Sequence, residues 1–247
     1  MGTSILLSML SSSYSLLIIQ NDETETLGLY ERYLKEKEIE HHVFHAYNLK
    51  ADESFPPLGE YDGFIVGPTP ISANYFDRHE FLVKEWEFLG EVIESGKPCL
   101  GVCCGAQLLA KHLGGDVRRS PEKEVGGYEV WLTEHGKRDP LFLGFPLEFP
   151  VFHWHSDMFE TPPTGKLLAT GDPCPVQAFS WRNVRGILFH LEIDSYEAER
   201  WADTYPAELV DVGKTKEQVI DECREREPMM KRLAYKLMDN FLSFTQA

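Results

Sequence analysis

Lys97-Pro-Cys-Leu-Gly-Val-Cys-Cys-Gly-Ala-Gln107 reads as a short buried strand, a sharp turn and the opening of a helix. Cys99–Val102 supplies the strand, and a helix from about Cys104 to Leu113 is ended by Gly114-Gly115, glycine being the residue that most readily closes a helix. Glycine stands two residues before and two residues after Cys103. That spacing describes a nucleophile elbow, in which small neighbours let the chain turn tightly around one strained, reactive residue. The turn places the Cys103 sulfur at a helix N-terminus, where the helix dipole and free N–H groups favour thiolate. The N–H of Cys104 would face a developing oxyanion. Two buried cysteines ahead of an ordinary helix share this local pattern, so residues elsewhere must decide between the two.

Outward from the elbow, apolar runs alternate with amphipathic stretches, the pattern of a largely parallel sheet covered by helices. Ser15–Ile19 is a continuous apolar run, as a strand buried on both faces requires. Leu27, Tyr30 and Leu34 follow at helical spacing. Strands are predicted at Val43–Tyr47 and Tyr61–Val66, the latter ending at Gly67-Pro-Thr-Pro70. A helix over about 75–95 ends at Ser95-Gly-Lys-Pro98. From 116 to 190, strand candidates at 126–133, 148–154, 166–170, 175–181 and 184–190 suggest hairpins or a small added sheet. Thr215-Lys-Glu-Gln218 fits a capping box. Pro228 suits the first turn of a separate helix with a stripe of Met230, Leu233, Leu237 and Phe241. One domain, 14–247, is expected after an N-terminal extension, 1–13.

Composition excludes several classes. A formal charge of −16 over 247 residues repels a phosphate backbone, so nucleic acid is not an expected partner. Five cysteines, two adjacent, make a poor disulfide framework and point to a reducing, cytoplasmic setting. Residues 1–13 lack a basic n-region and a run long enough to span a bilayer, so no membrane association is expected. His153, His155 and Asp157 alternate along one strand face. Alternation alone is weak evidence for a metal, and no HExxH or paired CxxC accompanies it. Neither a metal nor a cofactor is expected.

A cysteine hydrolase needs a base and a group to orient it. Nine histidines compete. His190 ends the apolar run Gly186–Phe189, which places it at the carboxyl end of a core strand, where open α/β sheets bind ligands. Glu192 is two residues on and shares its face in extended chain.

Gly101-Val-Cys-Cys-Gly-Ala-Gln107 resembles the GxCxGxQ signature of class I glutamine amidotransferases, and Leu108–Gly115 continues like their stand-alone members related to the glutaminase domain of GMP synthetase. Gly67-Pro68, Glu122–Gly127, His153-Trp-His-Ser-Asp157, Pro173–Gln177 and Gly186–Glu192 follow in the family's order. The resemblance implies a flavodoxin-like open sheet with helices on both faces. It also implies a Cys103–His190–Glu192 triad, with Leu191 where the family's FHPE motif has proline. By the same resemblance the oxyanion hole comprises Gly67 and Cys104, with Val66 replacing a glycine. Gln107, His155, Ser156 and Asp157 would bind substrate, Asp157 pairing its ammonium. The implied activity is hydrolysis of the γ-amide of glutamine or of another γ-glutamyl bond. The substrate is a small molecule, and no GxxxxGK[ST] loop is present, so a synthetase using the ammonia would be a separate protein. A γ-glutamyl peptidase or amine hydrolase would use the same triad. A catalytically silent binding or regulatory module is the reading from another class.

Overall fold

The computed structural model describes residues 14–244, so the extension expected over 1–13 lies outside the described residues. Nine strands form one mixed sheet in the order β2-β1-β3-β4-β9-β8-β7-β5-β6. The parallel half comprises β1 (Ser15–Gln20), β2 (Glu40–His45), β3 (Gly63–Val66), β4 (Cys99–Val102) and β9 (Val184–Ile187). The strands expected as hairpins continue this same sheet in antiparallel pairing: β5 (Val117–Leu132), β6 (Glu148–Phe159), β7 (Lys166–Gly171) and β8 (Ala178–Trp181).

Alternation along β1 builds two cores at once. Leu16 and Ile18 join one apolar cluster, with α1 (Gly28–Glu36) and the long C-terminal helix α6 (Lys216–Phe244). Leu17 and Ile19 join the other, beneath α2 (Glu80–Ser95) and α3 (Cys104–His112). Both faces of the parallel half are therefore covered, which is why its central strands β3 and β4 are buried at every position. Two shorter helices, α4 (Ser195–Thr204) and α5 (Pro206–Asp211), follow β9.

The tail differs from expectation in one respect. The capping box forms as read: Thr215 Oγ1 accepts from Gln218 N at 3.2 Å, and Gln218 Oε1 accepts from Thr215 N at 2.8 Å. The helix it opens runs through Pro228 without ending. An interior proline costs about 3 kcal/mol. Met230, Leu233, Leu237 and Phe241 beyond it are all buried, and each such side chain returns roughly 1.5–3 kcal/mol. Burial of the stripe outweighs the lost hydrogen bond.

Candidate active site

Cys103 joins β4 to α3 at φ 50° and ψ −110°, a conformation that costs about 1–3 kcal/mol for a residue with a side chain. Its N–H donates to Ile187 O at 2.8 Å, and its carbonyl accepts from Gln107 N at 3.0 Å as the first turn of α3 begins. The flanking glycines are sterically required. A Cβ on Gly101 would lie 2.6 Å from Ala106 N, and one on Gly105 would collide with the Val66 carbonyl.

The sulfur itself corrects one expectation. Cys103 is only 6% exposed. Burial pushes its thiol well above the ordinary range, and Glu25 and Glu192 push it further, while the Cys104 N–H offsets only part of this. The helix end thus loses to desolvation and nearby carboxylates. Cys103 is held as a thiol and needs a base.

Pairing of β4 with β9 sets Val102 beside Ile187. Beyond Ile187 the chain leaves β9, earlier than the predicted 184–190, because it turns to pair with β6. His190 N donates to Phe152 O at 2.8 Å, and Phe152 N donates to His190 O at 3.0 Å. His190 and Glu192 are both fully buried, with Nδ1 2.6 Å from Glu192 Oε1. With a carboxylate oxygen accepting at Nδ1, that nitrogen carries the proton and Nε2 presents a lone pair. Nε2 is buried without a hydrogen-bond partner among the described residues. The Trp201 ring stands perpendicular to the imidazole at 4.9 Å and closes one side. Leu191, at the family's proline position, is buried in the core.

A cleft of about 320 Å³ opens over Cys103 and Cys104. Gln107, His155, Ser156 and Asp157 all line it, so the structure gathers the four residues expected to hold substrate. Three already have partners. Gln107 Nε2 donates to Asp157 O at 3.0 Å, and Asp157 Oδ2 accepts from Ser72 Oγ at 2.6 Å. His155 Nε2 stands 3.1 Å from Glu124 Oε2. The Gly67 N–H donates to Ile19 O at 2.8 Å across β1 and β3, a bond it would have to give up to serve the expected oxyanion hole, whereas the Cys104 N–H already lies beside the sulfur. The loop meets the cleft further on, at Thr69, Pro70, Ile71 and Ser72.

His153, His155 and Asp157 do not converge on a common point. The two imidazoles meet edge to face at 4.8 Å, Asp157 is engaged by Ser72 and Arg119, and burial, then His155 and His190, hold His153 well below the usual histidine range.

Sequence reading missed Glu25, Ser72, Arg119, Lys123 and Glu208 on the cleft wall. Glu25 sits in Asp22-Glu-Thr-Glu25, which looks like a solvated acidic turn. In the structure it is buried, and desolvation together with Asp22 raises its carboxyl well above the usual range. Only tertiary packing reveals it.

The family model described as Glutamine amidotransferase class-I matches residues 23–200, a span holding Cys103, His190 and Glu192. The chain belongs to the class I glutamine amidotransferase family. Among its amidotransferase relatives is YfeJ of Salmonella typhimurium, described as glutamine amidotransferase-like, which is 32% identical over 188 residues, 72% of this chain and 77% of that one. The glutamine-hydrolyzing GMP synthase of Aeropyrum pernix is 43% identical over 133 residues, so the match spans 53% of this chain and only 24% of that longer relative. The crystal structure of a glutamine amidotransferase from Thermotoga maritima superposes with a TM-score of 0.84 at 26% identity, covering 95% of this chain and 99% of that one. Among the described residues no helix is long and apolar enough to cross a membrane.

Proposed function

We propose that the protein hydrolyses γ-glutamyl amide bonds, glutamine among them, through a thioester on Cys103. One observation carries the reading: His190, oriented by Glu192, keeps a buried, unpartnered Nε2 at the strand ends where the strained Cys103 sits. A nitrogen so placed loses hydration without compensation, and abstraction of a thiol proton gives it a use. His190 takes that proton as sulfur attacks the γ-carbonyl carbon. The oxyanion accepts from the Cys104 N–H. The C–N bond breaks as His190 protonates the departing nitrogen, and water, activated by the same imidazole, then cleaves the thioester to release glutamate and restore the thiol. Gln107, Ser156 and Asp157 hold the glutamyl end, Asp157 facing the ammonium.

A second reading, hydrolysis of γ-glutamyl amines larger than ammonia, is favoured by the cleft's extent. It continues past Cys103 to Glu25, Trp154 and Glu208, space that ammonia does not fill. Delivery of ammonia to a separate synthetase belongs to the first reading. Five free, buried cysteines support a cytoplasmic setting.

The deciding assay is glutamate release from glutamine and from a series of γ-glutamyl amines, for wild type and Cys103→Ala. Turnover lost in the variant is expected. Absence of turnover with every substrate, together with no labelling of Cys103 by a γ-glutamyl electrophile, would favour the silent module instead.

A further inference from the structure

Behind the cleft lies a group of side chains that hydrolysis does not use. Glu124 follows an irregularity in β5 and pairs directly across the sheet with His155 of β6. Cys174, in the connection between β7 and β8, approaches the same point. All three are buried, and one ligand atom from each falls within 4.8 Å of the others. Both Glu124 oxygens and both His155 nitrogens are buried without a hydrogen bond among the described residues. Glu124 Oε2 and His155 Nε2 are at ion-pair distance, 3.1 Å, yet off the line of a hydrogen bond. Cys174 Sγ lies 3.6 Å from Val176 O and 3.7 Å from Met158 Sδ, with the Ser120 hydroxyl also beside it. A carboxylate and an imidazole sealed from water with no directed partner are costly as a bare pair.

We propose that Glu124, His155 and Cys174 form a buried three-ligand zinc site. Carboxylate oxygen, imidazole nitrogen and thiolate sulfur together suit Zn²⁺. An ion about 2.0–2.3 Å from each donor needs them about 3.3–3.8 Å apart, so the group closes by at most about 1.5 Å, the fourth position being filled by a water that enters with the ion. Binding forms a Zn–S bond and releases the Cys174 proton to solvent. The ion ties β5, β6 and the β7–β8 connection together and fixes His155, next to Ser156 at the cleft. The site is independent of the hydrolase reading.

The test uses the full chain. Protein produced in zinc-supplemented medium and gel-filtered is expected to retain about one zinc per chain by elemental analysis. Cobalt(II) added to metal-free protein is expected to give an intense thiolate-to-cobalt charge-transfer band, lost in Cys174→Ser and kept in Cys103→Ser. Glu124→Gln, which preserves volume and is checked for folding by circular dichroism, is expected to weaken zinc binding at least about tenfold. Substoichiometric zinc with no cobalt band, or a band that survives Cys174→Ser and disappears in Cys103→Ser, overturns the proposal. So does unchanged zinc affinity in folded Glu124→Gln.

Discussion

Glu192 Oε1 lies 2.6 Å from Nδ1 of His190, and neither side chain is reached by solvent. The contact selects the tautomer with its lone pair on Nε2 and fixes the ring plane. Glu192→Gln keeps the volume but offers an amide that can present either a donor or an acceptor, so the tautomer is no longer imposed. The expected loss in kcat for γ-glutamyl hydrolysis is about 10²- to 10⁴-fold, with KM changed little because Glu192 does not line the cleft. Steady-state kinetics on a γ-glutamyl anilide reads both parameters, and a fully active variant would remove Glu192 from the mechanism.

Burial, Glu25 and Glu192 raise the Cys103 thiol, so at pH 7 the free protein holds less thiolate there than a free cysteine would. Iodoacetamide is therefore expected to alkylate Cys103 more slowly than glutathione at pH 7, at a rate that climbs as pH rises into the alkaline range. A γ-glutamyl electrophile, seated in the cleft beside the base, is expected to react readily at neutral pH. Mass spectrometry of the labelled peptide distinguishes Cys103 from Cys104. Iodoacetamide labelling faster than glutathione at pH 7 contradicts the prediction.

Asn21 Nδ2 donates to Gly67 O at 3.2 Å and to Glu85 Oε1 at 3.0 Å, tying the loop after β3 to α2. Glu85 is fully buried, and desolvation raises its carboxyl to about 8 although Asn21 opposes this. The unfolded chain gives up this proton near pH 4.5, whereas the folded one keeps it. A folded-state pKa above the unfolded value stabilises below the unfolded pKa, and that stability is lost as pH rises from about 4.5 through about 8. Glu85→Gln keeps the Asn21 acceptor and removes the titration. Its stability is expected to decline less than that of wild type between pH 6 and 9, by about 3 kcal/mol, read as a smaller fall in melting temperature. Parallel pH dependences would show that Glu85 is ionised in the folded protein.

Much of this was legible where local and tertiary preferences agree. Leu16–Ile19 has no polar position because both of its faces are covered, and Cys103 has glycine two residues to either side because strand, turn and helix crowd together there. Other features depend on partners remote in sequence. Glu25 looks solvated until α4 and α5 bury it, and Pro228 looks like a helix start until the apolar stripe beyond it meets the core. β5 begins at Val117, well before the predicted 126, because Arg118, Arg119 and Lys123 disguise a strand whose polar side chains reach a cleft rim or a neighbouring acid. The Gly67 N–H illustrates the same limit. A motif marks the loop, but only the register of β1 against β3 shows that this donor is bonded to Ile19.

Gly105 admits no side chain because the Val66 carbonyl occupies the position a Cβ would take, whereas a Cβ on Gly59 would meet nothing within 4 Å. Gly105→Ala is expected to cost more than about 3 kcal/mol, as backbone must move apart from backbone, and Gly59→Ala to stay within about 0.5 kcal/mol of wild type. Urea denaturation of the two variants gives the comparison directly. Equal midpoints would mean that α3 can slide away from β3 without penalty.

β9 is threaded between β4 and β8, so the strand that leads to His190 enters the sheet next to a strand made much earlier in synthesis. A chain emerging from the ribosome exposes β1 to β4 and the Cys103 turn while the imidazole is still unmade. Until β9 docks, that turn carries a thiol with no proton acceptor and a sheet edge with no neighbour. On the proposed mechanism reactivity is thus acquired late, in the same event that closes the interior of the sheet, and partly made chains contain Cys103 without its proposed base.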